Sequence, residues 1–325
     1  TALLFEAKEA SPNPGWGKYS AVSALAGLVL FPLAFLALIN TNMNVIQADV
    51  YFKQGKRAES LQQWDASIAY YQKAIDLTPR QDYYYLFLGR AQLQKAEKLA
   101  DPAARDSLIE RSLETLQTAQ RLNPLNTDHT ANLGRLYRLW AQMTEDPAKR
   151  QERFEQSLRY YEQATQLSPH NAGLFNEWGL VYYYMGRYDE AMQKYQQSLA
   201  LDSEFSQTYL LMGDVYLAWE QWDKAVEAYR QALALEPELV PAHSALGYAY
   251  ARMGRVQEAI QENLYVVSIA PEDYISLRNL ALLYQQVGDI TRSLEYAERA
   301  LPLAPAQERE PLQQLIQQLR QSLGG

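Results

Sequence analysis

The residues in this chain that look most capable of chemistry lie together around His129. The stretch from Asn123 to Ala141 is NPLNTDHTANLGRLYRLWA, and it places Asp128 next to His129 among several amides. A carboxylate beside an imidazole could orient the ring as a general base, and the two groups could also bind a metal ion. The elements that carry the stretch decide between such a site and a structural role.

No catalytic or metal-binding spacing accompanies that pair. The histidines His129, His170 and His243 lie too far apart in sequence to share a helical turn, as two ligands of a helical metal site do. Asp202 and Glu204 fall in a predicted turn, where solvated charges are the usual explanation. The sequence has no cysteine, no GxxxxGK[ST] or GxGxxG phosphate loop and no GxSxG serine. We therefore expect no catalytic residue, cofactor, metal or enzymatic activity within these residues.

The charge of the chain argues against nucleic acid as a partner. Its 325 residues carry a net charge of −8, and the acidic excess lies wholly after residue 47. Proteins that bind nucleic acid through phosphate attraction need the opposite sign. The hydrophobic share of 48% is enough for a sizeable core. The absence of cysteine fits either side of a bacterial membrane, so it leaves the compartment open.

The chain repeats itself with a period of 34 residues. Gly179, Gly213 and Gly247 are spaced by 34, and so are Pro237 and Pro271. Each unit contains two amphipathic segments, with small residues where the two would cross and a proline after the second. This pattern resembles the tetratricopeptide repeat. The resemblance implies an all-α fold in which helix pairs stack into a right-handed superhelix.

Seven such units and a capping helix account for the chain after residue 47. The units are 48–81, 82–126, 127–171, 172–205, 206–239, 240–273 and 274–307, and the capping helix covers 308–325. The second and third units are longer than the others. Each contains an Asp-Pro pair, Asp101–Pro102 and Asp146–Pro147, that is suited to begin a helix with the aspartate as N-cap. We expect these two hairpins to protrude, either packing against each other or forming a ridge for a membrane neighbour.

An apolar stretch precedes the repeats. Ala21–Ile39 holds 19 residues without a charge, and as a helix it would span the roughly 30 Å hydrocarbon core of a bilayer. We predict an N-terminal flank at 1–19, a transmembrane helix at 20–40 that contacts the lipid bilayer, and a linker at 41–47. The flanking charges do not specify an orientation by the positive-inside rule. We expect the repeats to face the extracytoplasmic side.

Partner binding is expected along the face formed by the first helices of the units. Superhelices of this repeat usually bind protein segments there, so side chains on that face are the candidates. The predicted groove residues are Lys56, Arg90, Asn132, Arg135, Arg138, Leu180, Tyr183, Tyr184, Leu210, Asp214, Leu217, Tyr248 and Leu282. The early members are basic and the later ones mostly apolar, which suits an acidic amphipathic helix or an extended segment. The alternative is that the apolar residues pack against the next unit and the arginines pair with acidic residues.

A second resemblance concerns what the chain is attached to. The apolar stretch, the segment NVIQADVYFKQG, the two long units and LNPLNTDHTANLGRLYRLWA together resemble the C-terminal region of bacterial O-antigen ligase or polymerase-like membrane proteins. The resemblance implies that further transmembrane helices precede Thr1. It also implies that these residues are the non-catalytic tail of a polytopic glycan enzyme. No catalytic residue of that family can be placed on this sequence.

Three functions remain open from the sequence. The chain is a membrane-anchored scaffold that binds subunits of a membrane complex, the tail of a glycan ligase or polymerase, or an assembly factor for a photosynthetic or respiratory complex. In each of them the Asp128–His129 pair is structural. Thr127 and Asp128 are expected to cap the next helix, and His129 is expected at the surface or an interface.

Overall fold

The computed structural model describes residues 16–324 of the chain, and that range is all-α. Within the N-terminal helix, side chains are described at 29–33, at 35 and from 42 onward, through 323. The helices are α1 (Trp16–Ser60), α2 (Trp64–Leu77), α3 (Asp82–Glu97), α4 (Pro102–Leu122), α5 (Thr127–Gln142), α6 (Pro147–Leu167), α7 (Ala172–Tyr184), α8 (Tyr188–Leu201), α9 (Ser206–Ala218), α10 (Trp222–Leu235), α11 (Val240–Arg252), α12 (Val256–Ile269), α13 (Tyr274–Gln286), α14 (Ile290–Ala300) and α15 (Ala306–Gly324), with a 3-10 helix at Leu301–Leu303. The predicted flank at 1–19 lies, up to residue 15, outside the described residues.

Consecutive helices pack as pairs, from α1 on α2 to α13 on α14. The pairs between α7 and α12 combine a first helix of 13 residues with a second of 14. The chain reverses between the two helices through a left-handed residue, which is Gly186 after α7 (φ 72°) and Gly254 after α11 (φ 75°). Glycine adopts this conformation without a Cβ clash, whereas Glu220 (φ 57°) takes it with some strain.

Glycines mark the points where the two helices of a pair cross. In four pairs a buried tyrosine of the second helix lies against the glycine of the first, whereas Gly89 faces Leu116 and Gly247 faces Asn263. The four pairs are Gly55 with Tyr71, Gly134 with Tyr161, Gly179 with Tyr195 and Gly213 with Tyr229. A Cβ at Gly55 would lie 2.5 Å from a carbon of the Tyr71 ring. A side chain in place of these glycines would therefore displace the tyrosine rings from their packed positions.

The contacts divide the chain into two compact units, residues 1–123 and 124–325. In the first unit, Tyr71 lies in a core shared by α1, α2 and α3. In the second unit, hydrophobic cores fill the successive pairs from α5 to α14. The last pair is covered by α15, which buries Ile316 and Leu319.

The two long hairpins belong to different units. α3 and α4 form the hairpin of the first unit, and α5 and α6 form that of the second. α4 and α6 have 21 residues each, about two turns more than the 14 of a regular second helix. The predicted N-caps are confirmed, because the Asp101 carboxylate accepts from Ala104 N at 3.0 Å and the Asp146 carboxylate from Ala148 N at 2.8 Å.

The predicted linker at 41–47 is wrong. α1 continues without a break from Trp16 to Ser60 and includes these residues. The segment TNMNVIQ contains neither glycine nor proline, so nothing in it interrupts the helical hydrogen bonds. Pro32 is the proline inside α1, and the helix continues through it.

Most side chains of the predicted transmembrane helix at 20–40 lie outside the described set. Where side chains are described, no helix combines the length and hydropathy that a bilayer span requires. Five apolar residues of this part of α1 are largely exposed, namely Val29, Leu30, Phe31, Leu33 and Phe35.

The stretch around His129 also differs from expectation. His129 is fully buried on α5, because it belongs to the apolar side of that helix together with Leu133. The N-cap is Asn126, whose side-chain oxygen accepts from Asp128 N at 2.9 Å. Thr127 instead lies with its hydroxyl 2.7 Å from that of Ser168. Of the pair that looked reactive, His129 is therefore a core residue and Asp128 belongs to the first turn of α5.

Candidate functional site

The first helices of the second unit lie side by side. α5 contacts α7, α7 contacts α9, and α9 contacts α11. We call groove face the following set of residues on these four helices and on α13. Its residues are Asn132, Arg135, Arg138, Glu177, Leu180, Tyr183, Tyr184, Asp214, Leu217, Tyr248 and Leu282. Second helices support the face from behind through the tyrosines that lie against the crossing glycines.

One end of the groove face holds two arginines and a carboxylate. Arg135 donates to Glu177 Oε1 at 2.9 Å, and Arg138 lies 3.8 Å from Glu177 Oε2. The Tyr161 hydroxyl donates to the same carboxylate at 3.0 Å. Burial raises the pKa of Glu177, but Arg135 and then Arg138 outweigh that effect and hold the pKa below its ordinary value. This end is therefore largely charge-compensated and is not the open basic surface that the sequence suggests.

The alternative of internal pairing is thus realised for Arg135 and Arg138. The sequence did not reveal Glu177 as their partner, because it comes 42 residues after Arg135 and belongs to the next unit. Asn132, 9% exposed, is turned inward as well and donates to the Asp128 carbonyl at 2.7 Å. The Arg138 guanidinium also lies 5.7 Å from the ring centroid of Tyr184.

A second carboxylate on the groove face has no such compensation. Asp214 on α9 accepts a hydrogen bond from the Tyr229 hydroxyl at 2.9 Å. No ion pair among the described residues includes it. Burial raises the pKa of Asp214 to about 6, and the Tyr229 hydrogen bond only partly opposes this rise. At neutral pH the site therefore holds a half-buried negative charge with one neutral donor.

The buried tyrosines behind the helices follow a rule with one exception. Three of them donate to carboxylates: Tyr71 to Glu59 at 2.7 Å, Tyr161 to Glu177 at 3.0 Å and Tyr229 to Asp214 at 2.9 Å. The Tyr195 hydroxyl is buried and finds no hydrogen-bond partner within the part of the chain that the structure describes.

Repeat geometry explains the exception. The places that correspond to the acceptors of the other three tyrosines hold Tyr183, Leu180 and Leu211 around Tyr195. None of these side chains offers a carboxylate. The Tyr195 pKa is raised by burial and, after that, by the charge of Asp214.

Three large side chains of the groove face are exposed, while Leu180, Tyr183 and Leu217 are half-buried. Tyr184, Tyr248 and Leu282 are 44%, 46% and 45% exposed. Two cavities open at groove-face residues, the first beside Tyr248 and Leu282 and the second beside Glu177 and Leu180. One of about 220 Å³ is lined by Gly247, Tyr248, Ala251, Asn263, Asn279, Leu282, Leu283 and Gln286, and one of about 230 Å³ by Gly173, Asn176, Glu177, Leu180, Phe205, Gln207 and Leu211.

The first cavity exists where the repeat pattern lapses. Asn263 stands at the place that tyrosine occupies in Tyr161, Tyr195 and Tyr229, while the facing glycine, Gly247, is retained. The smaller amide leaves space that a ring fills elsewhere. The Asn263 Nδ2 donates to the Ala259 carbonyl at 2.8 Å.

Three predicted groove residues lie elsewhere. Leu210 is 6% exposed and belongs to the core of α9 to α14, so its assignment to the groove is wrong. It precedes Asp214 by one turn of α9 and packs into that core, whereas Asp214 remains partly exposed. Lys56 and Arg90 belong to the first unit, where both approach the Phe87 ring, at 5.4 and 5.3 Å from its centroid.

The remaining candidate chemistry is structural. In the second unit, His243 Nδ1 lies 2.6 Å from the Glu262 carboxylate, and Nε2 lies 2.9 Å from the Pro237 carbonyl. Both ring nitrogens are thus occupied by neighbours. Over the described residues, no group of three or more potential ligands could hold a metal ion.

Comparisons with known proteins agree with the repeat architecture. A TPR repeat model matches residues 179–218 and 213–254, and tetratricopeptide repeat models match 275–304 and 46–81. No curated protein matches the chain. These matches give no support to the resemblance to O-antigen ligase or polymerase-like proteins.

Two solved structures share the fold. TTC0263, a thermophilic TPR protein of Thermus thermophilus, is 22% identical, with a TM-score of 0.53 over 63% of this chain and 99% of that one. PilF of Pseudomonas aeruginosa is 19% identical, with a TM-score of 0.54 over 72% of this chain and 96% of that one. At these identities the likeness concerns the fold alone. The family models show tetratricopeptide repeats at residues 46–81, 179–254 and 275–304 of this chain.

Proposed function

We propose that the chain is a scaffold whose groove face, in the second unit, binds a segment of a partner protein. The observation that carries the proposal is the row of exposed Tyr184, Tyr248 and Leu282 on one face. Large apolar side chains that cluster on a surface mark contact sites, whereas single ones do not. A cavity beside Tyr248 and Leu282, and a second one beside Leu180, could each hold a side chain of a bound segment.

Site-specific photo-crosslinking tests this proposal. A benzophenone amino acid is placed in the full chain, in its native cells, at Tyr184, Tyr248 or Leu282. We expect all three positions to yield the same adduct. The triple change of these residues to serine should abolish recovery of that partner.

Matched controls come from the same unit. Leu201, Leu235 and Ile269 are similarly exposed, at 39%, 40% and 46%, but they lie at the ends of second helices. Crosslinker at these positions should not give the adduct. Equal adducts from both sets, or none from the groove face, would contradict the proposal.

A second proposal concerns attachment to a membrane. The segment Ala21–Ile39 has no charged residue, and its described part exposes Val29, Leu30 and Phe31 at 56%, 64% and 74%. Exposed apolar side chains in an uncharged run favour a bilayer as their surroundings. We propose that 20–40 anchors the scaffold and that its partners are subunits of a membrane complex.

Fractionation tests the anchor, and labelling tests the side that the repeats face. The chain should resist extraction from membranes at alkaline pH, and a chain lacking 20–40 should be released. Because the sequence has no cysteine, a single Glu204→Cys reports accessibility alone. We propose the extracytoplasmic side, so a membrane-impermeant maleimide should label intact cells. Labelling only after lysis places the repeats inside.

A further inference from the structure

Resting on the proposed groove function, we infer that the bound segment places a cationic side chain, lysine or arginine, beside Asp214. The groove face contains two carboxylates in the same setting, each accepting a hydrogen bond from a buried tyrosine. One of them is neutralised by the chain itself and the other is not. The partner is the source of the missing cation.

The comparison of Glu177 with Asp214 carries the inference. Glu177 accepts from Tyr161 and lies within 4 Å of both Arg135 and Arg138. Asp214 accepts from Tyr229 and has no cation beside it among the described residues. A half-buried carboxylate is costly without a counter-charge or several donors. Asp214 lies on a face with exposed aromatic side chains, so a cation of a bound partner can supply the missing counter-charge.

The surroundings of Asp214 suit an alkylammonium or guanidinium group. The Asp214 charge raises the pKa of Tyr183 on α7 and of Tyr195 on α8, in each case after burial, so both hydroxyls are near it. The rings of Tyr183 and Tyr184 meet edge to face at 5.4 Å between centroids. Aromatic faces beside a carboxylate bind cations by adding the attraction of the ring quadrupole to that of the charge.

The buried Tyr195 hydroxyl is a second, independent sign of an incomplete site. It is the buried tyrosine for which the described repeats supply no acceptor. A bound segment brings backbone carbonyls as well as side chains. Such a carbonyl is the kind of acceptor that the Tyr195 hydroxyl lacks.

The chain's own charges leave this place to a partner. Arg138 is the cation that acts on Tyr195, and it is engaged by Glu177 at 3.8 Å and by Gln142 at 3.3 Å. α11, which contacts α9, carries Tyr248 at the place of its unit that corresponds to Asp214. The partner segment is therefore expected to be basic at this point, in contrast to the acidic segment that the sequence suggests.

Selection of peptides tests the inference even though the partner is unidentified. A phage-displayed library of random linear peptides is panned on the immobilised full chain and, in parallel, on Asp214→Asn. We expect lysine or arginine to be enriched at one position by the wild-type chain and not by the variant. The matched control is Asp189→Asn, an exposed carboxylate on α8, which should select as the wild type does.

Each outcome of the selection is decisive. Enrichment of peptides without a basic position, or the same basic position on Asp214→Asn, overturns the cation site while leaving the groove function intact. Failure to enrich any peptide contradicts the groove function and, with it, this inference. Circular dichroism at the panning pH verifies that both variants are folded.

A double-mutant cycle with one selected peptide gives the sharper measurement. Replacing its basic residue by methionine should weaken binding to the wild type about tenfold or more, and binding to Asp214→Asn hardly at all. Acidification from pH 7.5 to 5 should weaken the wild type alone, because Asp214 becomes protonated. Equal losses on both proteins would show that the basic residue binds elsewhere.

Discussion

Asp214 and Glu177 are carboxylates on successive first helices, yet their surroundings shift their pKa values in opposite directions. Both carboxylates are bound by tyrosine hydroxyls, and both lose solvation through burial. Arginines reverse the effect at Glu177, whereas nothing in the described residues does so at Asp214. The two sites therefore respond in opposite ways to the loss of their charge.

The first prediction is that Asp214→Asn stabilises the protein at neutral pH. The pKa of Asp214 is raised from 3.8 to about 6, so between these values the folded state holds a proton that the unfolded chain has released. The ionised group therefore opposes folding above about pH 6, and the cost fades as pH falls and vanishes below about 4. We expect a gain of about 1–2 kcal/mol at pH 7.5, measured by urea unfolding.

The control for this prediction is the same substitution at the exposed Asp189, which lies in the first turn of α8 and should give a small loss and no gain at pH 7.5. A gain of similar size for Asp214→Asn at pH 4 and at pH 7.5 would show that burial of the charge is not the cause. A clear loss at pH 7.5 would mean that the carboxylate is more solvated than the structure shows.

The second prediction is that Glu177→Gln destabilises the protein. Removing this charge leaves Arg138, 7% exposed, without its counter-ion, a loss of about 2–4 kcal/mol at pH 7. Because the pKa of Glu177 is lowered from 4.5, its contribution is present above that pH and is lost on acidification. Urea midpoints at pH 7 and 3.5 measure this. The exposed Glu204→Gln should be neutral, and an equal loss at both pH values would contradict the ionic origin.

At the scale of single residues, the sequence predicts where a side chain lies in the repeat better than it predicts which charges surround that side chain. The repeat alone places Arg135 and Arg138 one turn apart on the first helix of the third unit, α5. Their pairing could not be predicted, because the acceptor belongs to the next unit across an inserted hairpin. Reading the sixth place of each unit would have found Glu177. Nothing in the sequence shows that burial raises the pKa of Asp214.

The helix pair is the element that the sequence describes best, since glycine, tyrosine and alanine recur at fixed places. The crossing of two helices depends on an aromatic ring lying against a bare backbone. At Gly213, the Tyr229 ring occupies the space of the absent Cβ, whereas at Gly247 the facing group is the small amide of Asn263. The two glycines therefore share a place in the repeat and differ in what surrounds them.

The third prediction compares alanine at these two glycines. Alanine in a helix gains roughly 1 kcal/mol of propensity over glycine. At Gly213 the displaced ring costs more, about 2–3 kcal/mol, and also strains the Tyr229 bond to Asp214, so a net loss is expected. At Gly247 the amide yields more readily, and the net change should lie within about 1 kcal/mol of zero. Thermal unfolding of both variants decides, and equal losses would contradict the role of the ring.

The linker at 41–47 shows where element prediction failed and why. Composition separated an apolar run from the first repeat, and that shift was taken for a boundary between elements. A helix ends when hydrogen bonding is interrupted, by glycine, proline or a capping residue, and none of these operates in TNMNVIQ. A change in composition along α1 therefore does not mean that the helix ends there.

At the scale of the whole molecule, each of the two units is an array in which a helix mainly contacts its neighbours in sequence. Stability in such arrays is approximately a sum over repeats and their interfaces. This is why family models recognise parts of the chain by short local patterns. The identity of a partner cannot be recognised from such local patterns, because it depends on how exposed side chains from several repeats combine on one face.

The fourth prediction concerns α1 at the scale of the molecule. Spin labels at Leu33→Cys and Lys53→Cys, both exposed, should give a narrow distance distribution near 30 Å in the full chain, since a helix rises about 1.5 Å per residue. No native cysteine competes for the label. A broad distribution would show a break between the two sites. Labels at Lys53→Cys and Asp65→Cys, across the turn after α1, serve as the bent reference.

The unbroken course of α1 has a rotational consequence. A helix of 45 residues is about 68 Å long and turns by about 100° at each residue. The azimuth of the first helix pair is therefore set by the number of residues that separate it from the apolar segment. One inserted residue would swing the pair about a quarter turn around the axis, and seven would bring it almost back. The number of residues between the apolar segment and the first helix pair thus sets a rotation angle about the α1 axis. That angle determines which side of the first pair faces the surroundings of the apolar end.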